Sequence, residues 1–184
     1  MEPLLTVGHG PLDADALLAL LQGAGVGALV DVRRFPASRR NPTVAREHLA
    51  EALPAADVEY RWDERLGGRR RLTADDPGED SWWTVDAFRA YATHTRTPES
   101  VEAMDELLAQ AAHTRTAVMC SESVWWRCHR RLIADVAEVG RGREVLHLMP
   151  DGKLRRHRPA EGARRRHDGL VVWDADLAGE TGPG

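Results

Sequence analysis

The sequence predicts an α/β fold: a three-layer, Rossmann-like single domain whose mostly parallel sheet is flanked by helices. Short apolar segments alternate with helical patterns along the first half of the chain, and such β-α-β units form parallel sheets with right-handed crossovers. Residues 26–32 are apolar almost throughout, which is typical of a strand buried on both faces. The length of 184 residues fits one domain, predicted over residues 1–175 and followed by a flexible C-terminal tail over residues 176–184.

Each predicted element has a local reason in the sequence. The first strand covers residues 4–8, and Asp13 is placed to cap a helix rich in Leu and Ala that extends to Gln22. Residues 63–81 are polar and rich in glycine, so they form either an active-site loop or a disordered excursion. Further helices are predicted at 41–53, 84–93, 98–112 and 128–139, and further strands at 26–32, 58–62, 116–120 and 144–149, with 170–173 as an edge strand or a flap.

Composition excludes several classes of protein. No apolar run approaches the eighteen residues of a membrane span, so no membrane association is expected. The N-terminal residues lack the features of a signal peptide, which predicts a cytoplasmic location, where the two cysteines stay reduced. The net charge of −4 argues against a purely electrostatic nucleic-acid binder, although arginines cluster at 33–40, 69–71 and 155–166.

Both cysteines lie in the stretch VMCSESVWWRCHRRLIADV, residues 118–136. Cys120 ends a predicted strand, and open α/β sheets bind ligands at the carboxyl ends of their strands. The following helix is predicted to hold Cys128, His129 and Arg130 in its first turn. A helix N-terminus and nearby cationic side chains lower the pKa of a thiol, which favours a reactive Cys120. The alternative is a Cys120 that serves only as a small buried apolar side chain.

Three chemistries remain open for this stretch. A metal site is disfavoured because Cys128 and His129, as neighbours on a helix, diverge by about 100° and because the usual zinc spacing is absent. A redox pair needs a loop that brings together cysteines separated by seven residues. A catalytic or anion-binding loop would explain Arg127 and Arg130 beyond the strand end. The spacing from Cys120 to Arg127 is one residue longer than in the Cys-x5-Arg motif of phosphatases and rhodaneses. The sequence assigns no metal ligand.

The loops after the other predicted strands open on the same edge of a parallel sheet as Cys120. They carry a Gly-His-Gly tripeptide and several arginines, and arginine matches phosphate or carboxylate in bidentate fashion. The expected ligand is therefore anionic. We predict catalytic roles for Cys120, Glu122 and His9 and substrate-binding roles for Arg33, Asp31, Ser38, Arg39, Gly8, His129 and Arg130.

The segments TVGHG, LVDVRRFPASRRNP, LGGRRR, MCSES, CHRRLIAD and VLHLMPDGKLRRH occur in this order over about residues 5–170. Together they resemble the bacterial family called domain of unknown function 488. The resemblance implies a compact α/β domain and no established activity. Here Gly10 stands where the family usually has Ser, and Trp125 and Trp126 replace a polar stretch. The residues that match the family pattern, without assigned roles, are His9, Asp31, Arg33, Pro36, Ser38, Arg39, Gly67, Gly68, Cys120, Glu122, Cys128, His129 and Arg130.

The favoured hypothesis is an enzyme, a hydrolase or a transferase, that binds a nucleotide or a phosphorylated or carboxylated metabolite. Cys120 is its nucleophile or an essential polar group, Glu122 or His9 carries the proton, and the arginines hold the anion. The sequence assigns neither a cofactor nor an oligomeric state.

Two alternatives belong to other classes. One is a nucleic-acid-associated protein of DNA or RNA modification or repair, with residues 69–71 and 164–166 on phosphates and Trp125 or Trp126 stacked on a base. The net charge makes nucleic acid the less favoured partner. The other alternative is a metal-binding or thiol-redox module.

Overall fold

The computed structural model describes residues 2–37 and 41–174 and shows the α/β fold that the sequence predicts. The helices are α1 (Ala14–Gly23), α2 (Arg46–Ala52), α3 (Asp86–His94), α4 (Pro98–Gln110) and α5 (Arg130–Asp135), which continues as a π-helical turn over Val136–Gly140. The strands are β1 (Leu4–Gly8), β2 (Ala28–Asp31), β3 (Glu59–Trp62), β4 (Thr116–Cys120), β5 (Val145–Leu148), β6 (Leu154–Arg156), β7 (Ala163–Arg165) and β8 (Val171–Trp173). The predicted tail over residues 176–184 lies outside the described residues.

The main sheet has six strands in the order β3-β2-β4-β1-β5-β6. Strands β1 to β5 are parallel, and β6 pairs antiparallel with β5. The middle strand β1 lies between β4 and β5, and its register places Gly8 beside Cys120. The carboxyl ends of β1, β2 and β4 therefore meet at one edge of the sheet, where ligand sites of open α/β sheets lie.

Helices cover both faces of the sheet and enclose two apolar cores. One core lies between the sheet and helices α1 and α2, and the other lies between the sheet and helices α3 to α5. Leu4 and Leu5 of β1 point into different cores, as the two-residue period of a strand requires. Within the described ranges, no helix is long and apolar enough to cross a membrane.

Two predicted helices begin later than expected. The helix predicted over residues 41–53 is divided because Ala45 is extended, so a 3-10 turn over Pro42–Val44 precedes α2. The helix predicted from residue 128 begins at Arg130, because the backbone of Cys128 is extended with φ −128° and ψ 150°. This second difference changes which side chains converge at the sheet edge.

The C-terminal region forms a hairpin rather than an edge of the main sheet. Residues 170–173 contribute β8, which pairs antiparallel with β7 in a separate two-stranded sheet. Trp173 of β8 is fully buried in the core that contains α5. Residues 63–81 contain a 3-10 turn at Glu64–Leu66 and otherwise form a long loop beside the carboxyl edge of the sheet.

A buried polar chain connects this hairpin to the middle of the sheet. Asp135 accepts hydrogen bonds from Trp173 Nε1 at 2.8 Å and from His157 Nε2 at 2.7 Å. His157 Nδ1 lies 3.0 Å from His147 Nε2, and His147 Nδ1 lies 2.7 Å from Thr6 Oγ1. Because an ionised Asp135 needs the proton of His157 on Nε2, the hydroxyl of Thr6 donates to His147 and His147 donates to His157. All five side chains are buried, so their partners cannot be replaced by bulk water.

We expect Asp135→Ala to lower the free energy of unfolding by about 3–5 kcal/mol, because it leaves buried donors on His157, Trp173 and the Ala160 backbone without an acceptor. Urea denaturation measures the loss. The control is Asp105→Ala, whose exposed pair with Arg141 is worth at most about 1 kcal/mol. Equal effects of the two substitutions would contradict the importance of the buried polar chain.

The stability of the protein should decrease as the pH falls below about 6.5. Burial, together with His157 and Arg130, lowers the pKa of His147 to about 3. Between these values the unfolded chain binds a proton that folded His147 does not, so acid favours unfolding by up to about 1.4 kcal/mol per pH unit. His9 and His94, whose pKa values are also lowered, act in the same direction.

Urea denaturation between pH 7 and pH 5 tests this expectation. His147→Gln should have a shallower dependence of unfolding free energy on pH than the wild type, whereas exposed His113→Gln should have the wild-type slope. A His147→Gln slope equal to that of the wild type would show that His147 titrates normally in the folded protein.

Candidate functional site

The candidate site lies at the carboxyl ends of β1 and β4, where the loop over residues 121–127 crosses β1. A Cβ atom on Gly8 would lie 1.9 Å from the carbonyl oxygen of Glu122 and 2.7 Å from Nη2 of Arg130. Only glycine at this position therefore lets the loop approach the strand. Gly8 makes room for the loop, and its predicted role in substrate binding stays a prediction.

Cys120, Cys128 and His129 form a compact cluster that we call the thiol triangle. His129 Nδ1 lies 3.8 Å from Cys120 Sγ and 3.5 Å from Cys128 Sγ, and all three atoms are within 4.8 Å of one another. The sequence predicts that Cys128 and His129 diverge, which assumes that both residues are helical. That assumption is wrong, because Cys128 is extended and its side chain turns towards Cys120.

The two thiols of the triangle have opposite pKa shifts. The S–H of Cys128 donates to Cys120 Sγ, and this hydrogen bond lowers the pKa of Cys120 well below its usual range despite the opposing effect of burial. The imidazole of His129 and the backbone N–H of Glu122 add to the lowering. The same hydrogen bond to Cys120, together with burial, raises the pKa of Cys128. These directions make Cys120 the more acidic thiol of the pair.

Two sulfur atoms and an imidazole nitrogen at this separation could also hold a metal ion. Within the part of the chain that the structure describes, this is the one group of His, Cys and carboxylate side chains close enough to do so. The His129 ring lies against Gly68, where a Cβ atom would be 2.7 Å from Nδ1, and its centroid is 5.0 Å from that of Tyr91. Its Nε2 is buried without a hydrogen-bond partner, so packing holds the ring in place.

Asp31, Arg33 and His9 form a second cluster at the ends of β1 and β2. Arg33 donates to both carboxylate oxygens of Asp31, at 2.8 and 2.5 Å, and to the carbonyl of Val44 at 2.9 Å. Tyr60 donates to Asp31 as well, at 2.7 Å. Asp31 is thus neutralised inside the protein, and Arg33, which lines the pocket next to Cys120, has most of its donors occupied.

His9 is placed as a neutral imidazole. Its Nδ1 lies 2.9 Å from the carbonyl of Gly10 and therefore carries the ring proton, so Nε2 accepts from Arg33 Nη1 at 3.3 Å. Burial and the charge of Arg33 lower the pKa of His9. Its predicted role as a proton carrier stays a prediction.

Arg130 is buried and Glu122 is exposed, and their predicted roles as anion clamp and proton carrier stay predictions. Arg130 is 1% exposed and donates to the backbone carbonyl of Glu122 and to Thr6 Oγ1, the latter at 3.4 Å. The carboxylate of Glu122 is exposed, so the backbone of this residue makes the contacts at the site. Ser38 and Arg39, also predicted to bind substrate, lie outside the described residues.

Gly10 shows why this chain lacks the Ser expected from the family resemblance. Its φ of +50° favours glycine, and a Cβ atom there would lie 2.0 Å from Ser123 Oγ. The hydroxyl of Ser123 thus occupies the space where a side chain at residue 10 would begin. Nearby, Trp125 stacks on His147 with ring centroids 4.0 Å apart, so this tryptophan fixes the loop to the buried polar chain.

Cys120 and His129 line a pocket of about 80 Å³, next to a larger cleft of about 740 Å³. Both cavities share Arg34, Phe35 and Arg69. The side chain of Phe35 is 62% exposed, with the guanidinium groups of Arg34 and Arg69 5.7 and 5.9 Å from its ring centroid. Arg34, Phe35 and Arg69 are not among the site residues predicted from the sequence, although Arg69 belongs to the cluster at residues 69–71 that the nucleic-acid alternative places on phosphates.

Alkylation by iodoacetamide tests the assignment of the thiolate. In reduced, chelator-treated protein, Cys120 should react at pH 6 and Cys128 should not. Cys128→Ala removes the S–H donor, so it should raise the pKa of Cys120 and reduce its alkylation rate at pH 6 by about tenfold for each pKa unit gained. Mass spectrometry of the labelled peptide gives the rate, and Cys120→Ala provides the background. Faster labelling of Cys128 than of Cys120 would reverse the assignment.

Comparison with known proteins gives one match. The family model described as domain of unknown function DUF488 matches residues 13–137, which include Asp31, Arg33 and the whole thiol triangle. No curated protein and no solved structure matches the chain. Because the matched segment covers more than half of the sequence, the chain belongs to the DUF488 family.

Proposed function

We propose that this protein is an enzyme, a hydrolase or a transferase, that binds an anionic small molecule at the carboxyl edge of the sheet and transforms it next to Cys120. A nucleotide or a phosphorylated or carboxylated metabolite has the required charge. The observation that carries the proposal is the position of Cys120 in a pocket that shares Arg34, Phe35 and Arg69 with an arginine-lined cleft, together with the lowered pKa of this thiol.

The charge of the cleft favours an anion. Four arginines line it, and among the described residues none of the four forms an ion pair with a carboxylate; they are Arg34, Arg69, Arg70 and Arg71. Burial and the neighbouring charge of Arg34 lower the pKa of Arg70, as expected where cations are crowded. An anionic ligand would relieve this repulsion and would form charge-assisted hydrogen bonds with the guanidinium groups.

The geometry divides the arginines into two groups. Arg33 and Arg130 are buried and bonded to protein acceptors, so they shape the site. Arg34 and Arg69 line both the cleft and the pocket of Cys120, so they can hold a ligand that reaches the thiolate. The pocket of about 80 Å³ admits a small group, such as one phosphate or carboxylate, and the rest of the ligand would lie in the cleft.

A nucleic-acid-associated function is the second candidate, and exposed Phe35 favours it because bases stack on aromatic side chains next to arginines. Two other features proposed for this function are already engaged within the protein. Arg164 and Arg166 pair with Asp174 and Glu79, and Trp125 stacks on His147. A steep salt dependence of binding to a single-stranded oligonucleotide would support this candidate.

Thermal unfolding with inorganic phosphate, pyrophosphate and a nucleoside monophosphate tests the main proposal. At least one of these probes should raise the unfolding temperature of the wild type. Arg34→Ala and Arg69→Ala should each weaken the binding of that probe by roughly tenfold or more, because each substitution removes a charge-assisted contact. Arg156→Ala is the matched control, since Arg156 is exposed on β6.

Cys120→Ala separates binding from chemistry. This variant should still bind the stabilising probe and should have lost activity on substrates of the same chemical class. If none of the anions stabilises the wild type, or if the Arg34→Ala and Arg156→Ala proteins respond equally, the cleft does not bind the anion.

A further inference from the structure

We propose that the thiol triangle is a metal site in which Cys120 Sγ, Cys128 Sγ and His129 Nδ1 bind one Zn²⁺ ion and the fourth position opens to the pocket. The proposed function supplies the ligand class expected at that open position, whereas the metal site itself rests on the geometry of these three side chains.

The distances between the three atoms agree with tetrahedral coordination. With Zn–S bonds of about 2.3 Å and Zn–N bonds of about 2.1 Å, neighbouring ligand atoms of a tetrahedral zinc site are about 3.6–3.8 Å apart. The distances from His129 Nδ1 to the sulfur atoms of Cys120 and Cys128 are 3.8 and 3.5 Å. The two sulfur atoms lie within the 4.8 Å that contains all three atoms, so a small movement of one thiol completes the triangle.

The donor set selects the kind of metal. Two thiolates and an imidazole suit Zn²⁺, which is borderline soft and favours tetrahedral sulfur and nitrogen ligands, over Mg²⁺ or Ca²⁺, which prefer oxygen. The elements that carry the ligands are fixed: Cys120 ends a central strand, and His129 immediately precedes α5. Such a preformed set needs little reorganisation to bind the ion.

The open position follows from the shape of the pocket. Cys120, His129 and Ser121 line the pocket of about 80 Å³, whereas Cys128 lies behind them. Three protein ligands and one position for water or substrate characterise catalytic zinc sites, as opposed to closed structural ones. In the metal-bound protein Cys120 is a ligand, so the reacting group becomes the species at the open position. The substrate class and its location stay as proposed above.

Metal binding releases a proton. Both cysteines bind as thiolates, and any proton that a sulfur atom carries in the metal-free protein passes to solvent. His129 must bind through an unprotonated Nδ1, with its ring proton on Nε2. The apparent affinity should therefore rise with pH.

Titration of the reduced, chelator-treated protein with Co²⁺ tests the site. The expected result is one equivalent of Co²⁺ with the visible absorption of a tetrahedral ion and a thiolate charge-transfer band, both displaced by Zn²⁺. Cys128→Ser and His129→Ala should each weaken binding by more than about 100-fold, since loss of even a supporting contact costs 10–100-fold. Exposed His113→Ala should bind like the wild type.

Folding of the variants is checked separately. Zn²⁺ should raise the unfolding temperature of the wild type and should leave that of Cys128→Ser unchanged, with both metal-free proteins unfolding cooperatively. Zn²⁺ should also protect the wild type from oxidation to a Cys120–Cys128 disulfide. Absence of the thiolate band at one equivalent, full binding by both ligand variants, or disulfide formation at the same rate with and without Zn²⁺ would overturn the proposal.

Inorganic phosphate distinguishes failure of this site from failure of the proposed function. If phosphate changes the Co²⁺ spectrum of the wild type and not that of Arg34→Ala, both proposals are supported. A bound Co²⁺ ion whose spectrum no anion changes supports the metal site and contradicts its connection to the cleft. Anion-induced stabilisation that persists in metal-free Cys128→Ser, without Co²⁺ binding by the wild type, supports the proposed function alone.

Discussion

The buried guanidinium of Arg130 is the constraint on which the geometry of the candidate site depends. It holds the carbonyl of Glu122 over β1, and this contact is accessible because Gly8 has no side chain. With that carbonyl fixed, the N–H of the same residue can reach Cys120 Sγ. Arg130 also contacts Thr6, the first member of the buried polar chain. One cation thus joins the loop, the central strand and the chain of histidines.

Arg33 inside the site has a carboxylate partner, whereas the arginines at the opening have none among the described residues. The carboxylate of Asp31 balances the charge of Arg33, and Asp135 accepts the last hydrogen bond of the buried polar chain. Most of these buried polar groups therefore have partners within the fold. The arginines at the mouth have backbone carbonyls as partners instead: Arg34 donates to Arg69, and Arg70 donates to Gly67. A negative charge is therefore the component that the opening lacks.

The parallel strands could be predicted from the sequence, whereas the contacts between the loops that follow them could not. Each strand is a short apolar segment between helix signals, and the meeting of His9, Asp31 and Cys120 at one edge follows from parallel pairing. The convergence of Cys128 and His129 depends on where α5 begins, and sequence patterns locate helix ends imprecisely. His157 and Asp135 are 22 residues apart, and no local pattern connects them. Polar chains of this kind are set by tertiary packing alone.

The position of β1 means that the segment matched by the family model and the unit that folds have different boundaries. Residues 13–137 contain the thiol triangle but none of β1, β5 and β6, the three strands on one side of β4. An isolated segment with those limits would turn a central strand into an open edge and would leave Asp135 without His157 and Trp173. The flanking residues are therefore structural parts of the same domain.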